Sequence, residues 1–326
     1  MDILKLYQFA QTAERNPSVV WEDSFGRYEV TFIDDYISWI LSAKHKVLFD
    51  SKHCKVLLIK GQNCIVSIGG FLAHNKGKLL ANMKGLPLVT IPTQLANDSF
   101  GTNRYSITDD EQMASLECVF PMKTIFDVPF LQGNGMEKSL WGIGEFIGLY
   151  FSIIDYSLKT NQNFDSYLTW IVEQLHKLDE LDREANDRLM LKKLAILLTI
   201  KCLMMRANGN HEIGCGIDHS FARCLEKDLR IPHGKAVYIG SLLAFFLYPE
   251  WECHGLSKSV IIKMGKILGI SSKDIECLKS LNLQSSIKDA IRSRPKRSIA
   301  LESIEEGQEF RIYRANEEIQ NLIWVN

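Results

Sequence analysis

The stretch CIVSIGGFLAHNKGKLLANMKGLPLVTIPT, residues 64–93, indicates an alternating α/β fold. It begins with a short run of mostly β-branched residues and passes through a glycine pair into a helical segment over 73–84. It ends in a second apolar run over 86–93. Short, continuous apolar runs that flank a helix are typical of the buried strands of a parallel sheet. The stretch therefore predicts one strand–helix–strand unit of such a sheet.

Similar runs lie on both sides of this unit and extend the pattern. Strands are predicted over residues 27–32, 45–50, 55–60 and 123–128, and a helix over 34–43. This part of the chain is therefore predicted to form an α/β N-terminal domain, residues 1–132, with a reduced Rossmann-like parallel sheet.

From about residue 136, apolar residues recur at helical spacing. The segment 137–158 is apolar nearly all round, as expected of a buried helix. Further helices are predicted over 164–207, after His219, after His233, and over 256–268, 272–280 and 284–292. We expect an all-α C-terminal domain, residues 133–326, whose tail over 309–326 forms a small β ribbon. The cleft between two such domains is the natural place for a site.

The composition excludes several classes of partner. The chain has 38 basic and 39 acidic residues and a net charge of −1, so charge favours neither nucleic acid nor an acidic membrane surface. The longest apolar runs, 194–205 and 236–248, are too short to span a bilayer. Eight scattered cysteines without a CxxC pair are typical of reduced thiols. We therefore expect a cytoplasmic protein that binds neither nucleic acid nor membrane.

Three residues are candidates for metal ligands. Glu145 is a lone carboxylate in the apolar stretch WGIGEFIGLYF, where an unpaired buried charge would be costly. His219 and His233 each stand beside a predicted helix. One carboxylate and two imidazoles leave open positions on an ion, as a catalytic centre requires. The alternative is that the histidines cap helices and Glu145 pairs with a lysine, and spacing alone does not decide between the two interpretations.

Five blocks resemble, in order, segments of the glycerol-1-phosphate dehydrogenase group. This group lies within the superfamily of iron-containing alcohol dehydrogenases, glycerol dehydrogenases and dehydroquinate synthases. The blocks are SIGGFLAHNKGKLLANMKGLPLVTIPT (67–93), PTQLANDSFGTNRYSI (92–107), GIGEFIGLYFSIIDY (142–156), GNHEIGCGIDHSF (209–221) with PHGKAVYIGSL (232–242), and RPKRSIALESI (294–304). The resemblance implies a dehydroquinate synthase-like architecture.

The resemblance also implies roles for individual residues. Glu145, His219 and His233 would hold one divalent ion, zinc or iron, and Asp98 would hydrogen-bond a substrate hydroxyl. Residues that would bind an NAD(P) cofactor are Gly69, Gly70, Lys78 and Thr93. The substrate would be a small polyol or a sugar-phosphate-like molecule. Relatives are often oligomeric, so the resemblance leaves a homo-oligomer open.

The sequence departs from the family pattern at the cofactor end. The third glycine of the family's turn is Phe71, and the family's Asp is Asn75, although Lys78 is retained. Only about twenty residues separate residues 46–50 from the glycine pair, where the family has a longer nucleotide-binding stretch. These changes predict that the cofactor binds differently or is no longer bound.

A second departure concerns the substrate. The family's Ser-Arg-Pro before the first histidine is replaced by His211-Glu212-Ile213, so a basic residue has become acidic. Arg104 could supply a positive charge for phosphate or carboxylate instead, or be an ordinary surface arginine. His211 is a candidate acid–base residue or a plain loop residue.

Three functions are consistent with these residues. The leading hypothesis is a metal-dependent, NAD(P)-linked dehydrogenase of a small polyol or polyol phosphate, in which the ion activates the substrate hydroxyl. The second is a dehydroquinate synthase-like lyase or sugar-phosphate cyclase, favoured by Glu145 and by the altered glycine turn. The third is a degenerate, non-catalytic binding subunit, which three retained ligands argue against.

Overall fold

The chain forms two compact units in a computed structural model. The first comprises Met1–Ser139 and Glu184–Ala207, and the second Leu140–Arg183 and Asn208–Asn326. The predicted boundary at 132/133 assumes two continuous segments, whereas a later segment of the chain packs with the first unit. The structure describes residues 3–24, 26–33, 45–51, 54–59, 63–108, 113–181, 187–251, 254–276, 278, 285–286, 288, 298, 300 and 309–322.

The first unit combines a mixed sheet, a two-stranded ribbon and helices. Its elements are α1 (Ile3–Arg15), β1 (Ser18–Asp23), β2 (Gly26–Ile33), β3 (His45–Ser51), β4 (Cys54–Ile59), β5 (Cys64–Gly69), α2 (Phe71–Lys84), β6 (Leu88–Pro92), β7 (Arg104–Thr108), β8 (Met113–Glu117), β9 (Lys123–Asp127), α3 (Val128–Gly133), α4 (Met136–Leu140) and α7 (Asp187–Asn208).

The main sheet has seven strands in the order β1-β2-β9-β6-β5-β4-β3. The four central strands β2, β9, β6 and β5 are parallel, as predicted. They carry the continuous burial expected of a covered sheet: every residue of β5 is buried. The prediction that strands 45–50 and 55–60 are also parallel is wrong, because β3 and β4 pair antiparallel with each other and β4 with β5. A two-residue connection between them allows only a hairpin.

Helix α7 completes the first unit through ion pairs with residues far earlier in the chain. Arg206 Nε lies 2.9 Å from Asp23 Oδ2, and Lys193 pairs with Glu14. Both arginine and aspartate are largely buried, with 4% and 12% of their side chains exposed. Removal of either partner would leave an uncompensated charge, so these contacts tie the helix to the sheet.

The second unit is helical throughout its described residues. Its elements are α5 (Gly142–Thr160), α6 (Asp165–Asp179), α8 (Ile217–Leu229), α9 (His233–Leu247), α10 (Lys258–Leu268), α11 (Ser272–Glu276) and α12 (Glu309–Gln320), with short 3₁₀ turns at Glu212–Gly214 and Pro249–Trp251. The fold class predicted from the sequence, an α/β part followed by a helical part, is confirmed.

The predicted β ribbon at the tail is wrong. Residues 309–320 form helix α12, whose Ala315 and Ile319 are buried at a spacing of four residues. That spacing is the helical period, which the short alternation of Phe310 and Ile312 obscured. The predicted helix over 34–43 and most of that over 284–292 lie outside the described residues. Of the helices in the described part of the chain, none is both long and apolar enough to cross a bilayer.

Candidate metal centre

Three helices of the second unit bring Glu145, His219 and His233 together. Each residue lies in the first turn of its helix: α5, α8 and α9 respectively. Glu145 Oε1 is 2.7 Å from His233 Nε2, and Glu145 Oε2 is 3.4 Å from His219 Nε2. One ligand atom from each residue lies within 4.8 Å of the other two. The three residues singled out by the sequence therefore form one cluster.

Glycines allow the three helix starts to approach this closely. A Cβ atom on Gly144 would lie 2.0 Å from the carbonyl oxygen of Gly234, and one on Gly234 would lie 2.2 Å from that of Trp141. Contacts this short are impossible for a real Cβ, so α5 and α9 touch backbone to backbone beside Glu145 and His233. The apolar character of α5 buries Glu145 completely, at 0% exposure.

A second carboxylate stands behind each imidazole. His219 Nδ1 is 2.6 Å from Asp218 Oδ2, and His233 Nδ1 pairs with Glu226 Oε1. Asp218 is fully buried, and its Oδ1 accepts hydrogen bonds from Ser152 Oγ at 2.7 Å and from the Gly216 backbone N–H at 3.1 Å. A carboxylate in this position fixes the ring tautomer and orientation of a metal-binding histidine.

This arrangement has a direct electrostatic consequence. A neutral imidazole that donates its Nδ1–H to a carboxylate presents a lone pair at Nε2. Both Nε2 atoms face oxygens of Glu145. Lone pairs at such distances repel each other unless a proton or a cation lies between them. The donor set of two imidazole nitrogens and a carboxylate matches the ligands of divalent zinc or iron, so the residues fit such an ion.

The charge balance around His233 also favours a bound divalent cation. Burial lowers the pKa of His233, but Glu145 and Glu226 more than offset this and raise it to about 10. Without an ion the site therefore retains a proton on this ring. Two imidazoles lie among the carboxylates of Glu145, Asp218 and Glu226, an excess of negative charge that a divalent cation would balance.

Asp98, the predicted substrate residue, lies in the first unit beside a buried lysine. Lys201 Nζ is 3.1 Å from Asp98 Oδ2, and the lysine is fully buried whereas 18% of the aspartate side chain is exposed. Cys202 Sγ also donates a hydrogen bond to the Asp98 backbone oxygen. The carboxylate is thus anchored on one side by α7 and partly accessible on the other.

The glycine turn before α2 has two positions that favour glycine. Gly69 has φ +147°, which L residues rarely adopt, and a Cβ on Gly70 would lie 2.8 Å from Gln94 Nε2. Gly70 caps α2 without a side-chain hydrogen bond. Thr93, also predicted at the cofactor, is held at this turn because its N–H donates to the Gly69 oxygen at 3.0 Å. Phe71, which replaces the third glycine, is 45% exposed.

Lys78, which the resemblance assigns to the cofactor, lies buried behind the glycine turn. Its side chain is fully buried, and Nζ donates to Thr102 Oγ1 and to the Arg104 oxygen, both at 3.0 Å. Burial lowers the pKa of Lys78 to about 8, against the opposing effect of Asp98. In this structure the ammonium joins α2 to the segment 102–104.

The remaining predicted residues are not part of the metal cluster. Arg104 begins β7, and its guanidinium lies 3.9 Å from Glu117 with 32% of the side chain exposed. His211 precedes the 3₁₀ turn at Glu212–Gly214 and is half-buried. Neither residue belongs to the group formed by the three metal-centre residues.

Asp218 and Glu226 are site residues that sequence reasoning did not assign. Asp218 directly precedes His219, and Glu226 lies seven residues after it, two turns along α8. Two turns separate residues on one face of a helix, so this spacing was the available signal. Helix α8 thus carries one residue of the cluster, His219, and the carboxylate partners of both histidines.

The fold is that of glycerol dehydrogenases and iron-containing alcohol dehydrogenases. A probable glycerol dehydrogenase from Sinorhizobium meliloti superposes with a TM-score of 0.55 at 13% identity, covering 77% of this chain and 74% of the other. An iron-containing alcohol dehydrogenase gives a TM-score of 0.53 at 17% identity, with 80% and 76% covered. The predicted dehydroquinate synthase-like architecture is confirmed.

Sequence comparison identifies relatives more narrowly. Residues 29–133 match the family model for iron-containing alcohol dehydrogenases. Glycerol-1-phosphate dehydrogenase [NAD(P)+] from Methanosarcina barkeri is 22% identical over 203 residues, which cover 58% of this chain and 56% of the relative. The chain thus aligns with little more than half the length of this relative. The resemblance to the glycerol-1-phosphate dehydrogenase group is confirmed. The family match includes Gly69, Asp98 and Arg104 but not the metal cluster.

Proposed function

We propose that this protein is a metal-dependent, NAD(P)-linked dehydrogenase of a small polyol or polyol phosphate. The observation that carries the proposal is the pair of carboxylate-backed imidazoles whose Nε2 atoms face Glu145. The similarity to glycerol-1-phosphate dehydrogenases supports the activity and the substrate class. Scattered thiols, none of them in a CxxC pair, support a cytoplasmic location.

Glu145, His219 and His233 would hold the ion. When bound, zinc or iron supplies Lewis acidity that lowers the pKa of an alcohol, so that its proton leaves near neutral pH. Asp218 and Glu226 keep the two rings in the orientation that binding requires. The buried position of Glu145 excludes water from one side of the centre and strengthens its electrostatic interactions.

Asp98 would bind a hydroxyl of the substrate. Its pairing with Lys201 holds the carboxylate in place, so it can accept a hydrogen bond from the hydroxyl. Arg104 would bind an anionic group, and His211 would exchange protons with the substrate. Arg104 already has Glu117 as a neighbour, and His211 lies outside the metal cluster. Single variants of these two residues therefore test their roles separately from metal binding.

Gly69, Gly70 and Thr93 would bind the NAD(P) diphosphate. Neither glycine adds a side chain of its own at this turn, and the first backbone N–H groups of a helix have no partner within it, as an anion site requires. Lys78 would act indirectly, by joining α2 to residues 102–104 rather than by touching a phosphate.

A metal-dependent lyase or cyclase that works without a nicotinamide cofactor is the second candidate. The observation that favours it is the altered cofactor end: an exposed Phe71 at the first helical position and a buried Lys78. In such an enzyme the same ion would polarise a hydroxy-ketone for elimination.

Two measurements on the purified chain test the proposal. Metal analysis should give about one zinc or iron per chain, falling sharply in a His219→Ala, His233→Ala variant. Absorbance at 340 nm with NAD(P) and a polyol and polyol-phosphate panel should then reveal turnover. One ion per chain without calorimetric binding of NAD(P) would refute the dehydrogenase and favour the lyase. Absence of an ion would favour the binding subunit.

A further inference from the structure

We infer that the second unit carries an additional binding site for a small amphipathic anion, an alkyl chain that ends in a carboxylate or phosphate. The site is a pocket of about 390 Å³, lined by the C-terminal end of α9, the turn after it, and the facing residues of α10 and α12. Its volume lies within the range of small-molecule sites. None of the three metal-centre residues lines it.

The floor of the pocket is apolar. It is formed by the last turn of α9, which contributes Phe245, Phe246 and Leu247, and by Pro249. Phe245 and Leu247 are buried, whereas Phe246 is half-buried. Such a floor favours a hydrocarbon segment, since contact with it removes apolar surface from water.

The rim of the pocket is cationic. Lys258, Arg311 and Arg314 line it together with a single carboxylate, Glu318. Lys258 Nζ pairs with Glu318 Oε2 at 3.2 Å and lies 5.2 Å from the Phe246 ring. This leaves the two arginines, both exposed, as an excess of two positive charges. Within the described part of the chain, neither has a carboxylate within ion-pair distance.

The spacing of Arg311 and Arg314 allows both guanidinium groups to bind the same anion. They are three residues apart on α12, so they lie on one face of the helix about one turn apart. Two guanidinium groups in that relation can hold one carboxylate or phosphate between them. The positive excess disfavours a metal ion, and the aromatic floor beside the rim disfavours a purely inorganic anion. An anionic head joined to an apolar chain satisfies both parts of the pocket.

Calorimetry on the full chain tests this inference with monomeric probes. Octyl and decyl phosphate, both below their micelle concentrations, should bind with one molecule per chain. The decyl compound should bind about tenfold more tightly, as expected for two further buried methylenes. Inorganic phosphate and the uncharged decyl maltoside should bind far more weakly. Equal binding of all four, or no binding of the alkyl phosphates, would overturn the inference.

Variants locate the site. Arg311→Glu with Arg314→Glu should weaken decyl phosphate binding at least tenfold, and the milder Arg311→Gln, Arg314→Gln pair should weaken it less. Lys266→Glu is the matched control, because Lys266 is an exposed cation of α10 outside the pocket, and it should leave binding unchanged. Thermal unfolding would establish that each variant is folded. Equal effects of control and arginine variants would overturn the assignment.

Vesicle sedimentation separates a free amphiphile from a membrane surface. The chain should not sediment with vesicles of phosphatidylcholine and phosphatidylserine under conditions where decyl phosphate binds. Sedimentation that depends on the two arginines, without binding of the monomeric probe, would overturn the inference in favour of a membrane contact.

Discussion

Replacement of Asp218 by Asn is expected to weaken metal binding by one to two orders of magnitude. Asp218 is fully buried and accepts from Ser152 and Gly216 as well as facing His219 Nδ1 at 2.6 Å. Its position behind the ring is therefore fixed by two donors. An asparagine keeps the shape but loses the charge that makes the imidazole a stronger ligand. Loss of such a partner typically costs 10–100-fold in metal affinity, or roughly 1.4–2.7 kcal/mol.

Glu226→Gln provides the matched comparison. Glu226 faces His233 in the same way, but 33% of its side chain and 39% of that of His233 are exposed. Water can replace part of a lost interaction at an exposed site, so the effect should be below about tenfold. The structure thus predicts an order, with the Asp218 variant impaired more than the Glu226 variant.

Competition with a chromophoric chelator would measure both affinities without reference to activity. Urea unfolding of the metal-free proteins would separate loss of affinity from loss of stability. An Asp218→Asn protein that binds zinc as tightly as the unaltered chain would refute the reasoning, and so would a larger effect of Glu226→Gln.

Three further predictions follow from packing and ionisation. Gly144→Ala should destabilise the second unit by about 3 kcal/mol in urea unfolding, because its Cβ would lie 2.0 Å from a backbone oxygen. Gly133→Ala, with open space around it, should change little, and equal stability of the two variants would contradict this. Burial raises the pKa of Asp155 to about 6, so the folded chain holds this proton more tightly than the unfolded chain. Stability should therefore fall by about 3 kcal/mol as pH rises from about 3 to about 7, and Asp155→Asn should remove that slope, which an unchanged pH profile would disprove. Because the pKa of His233 is about 10 in the ion-free site, zinc binding at pH 7 should release about one proton from this ring. Calorimetry in two buffers of different ionisation enthalpy would detect the released proton. A binding enthalpy that does not depend on the buffer would argue against this prediction.

Much of the first unit could be predicted because its strands have strong local signals. The continuous apolar runs at β5 and β6 identify buried parallel strands, and the glycine pair identifies the start of α2. The direction of β3 and β4 was not predictable from such runs, since apolar content is the same for either direction. Only the shortness of the connection determines it.

The clustering of Glu145, His219 and His233 could be predicted from the sequence, but the residues that support the cluster could not. The sequence shows a carboxylate amid apolar residues and two histidines at helix starts. The family resemblance indicated that the three residues belong to one site. The close approach at Gly144 and Gly234 and the pairing of His233 with Glu226 depend on how helices pack. Likewise, a retained Lys78 suggests a phosphate contact, but its burial against Thr102 is a tertiary property.

Helix α7 belongs to the first unit but is synthesised after two helices of the second unit, so the first unit cannot be completed early in translation. Synthesis delivers the sheet strands within the first 127 residues, but the partners of Asp23, Glu14 and Asp98 arrive only with α7. During translation those carboxylates remain hydrated, without these cations, while α5 and α6 are synthesised. A truncated product that ends at residue 139 would lack their cations. The first unit is therefore complete only when 207 residues have been made, and gene fragments cut between the two units would not yield it.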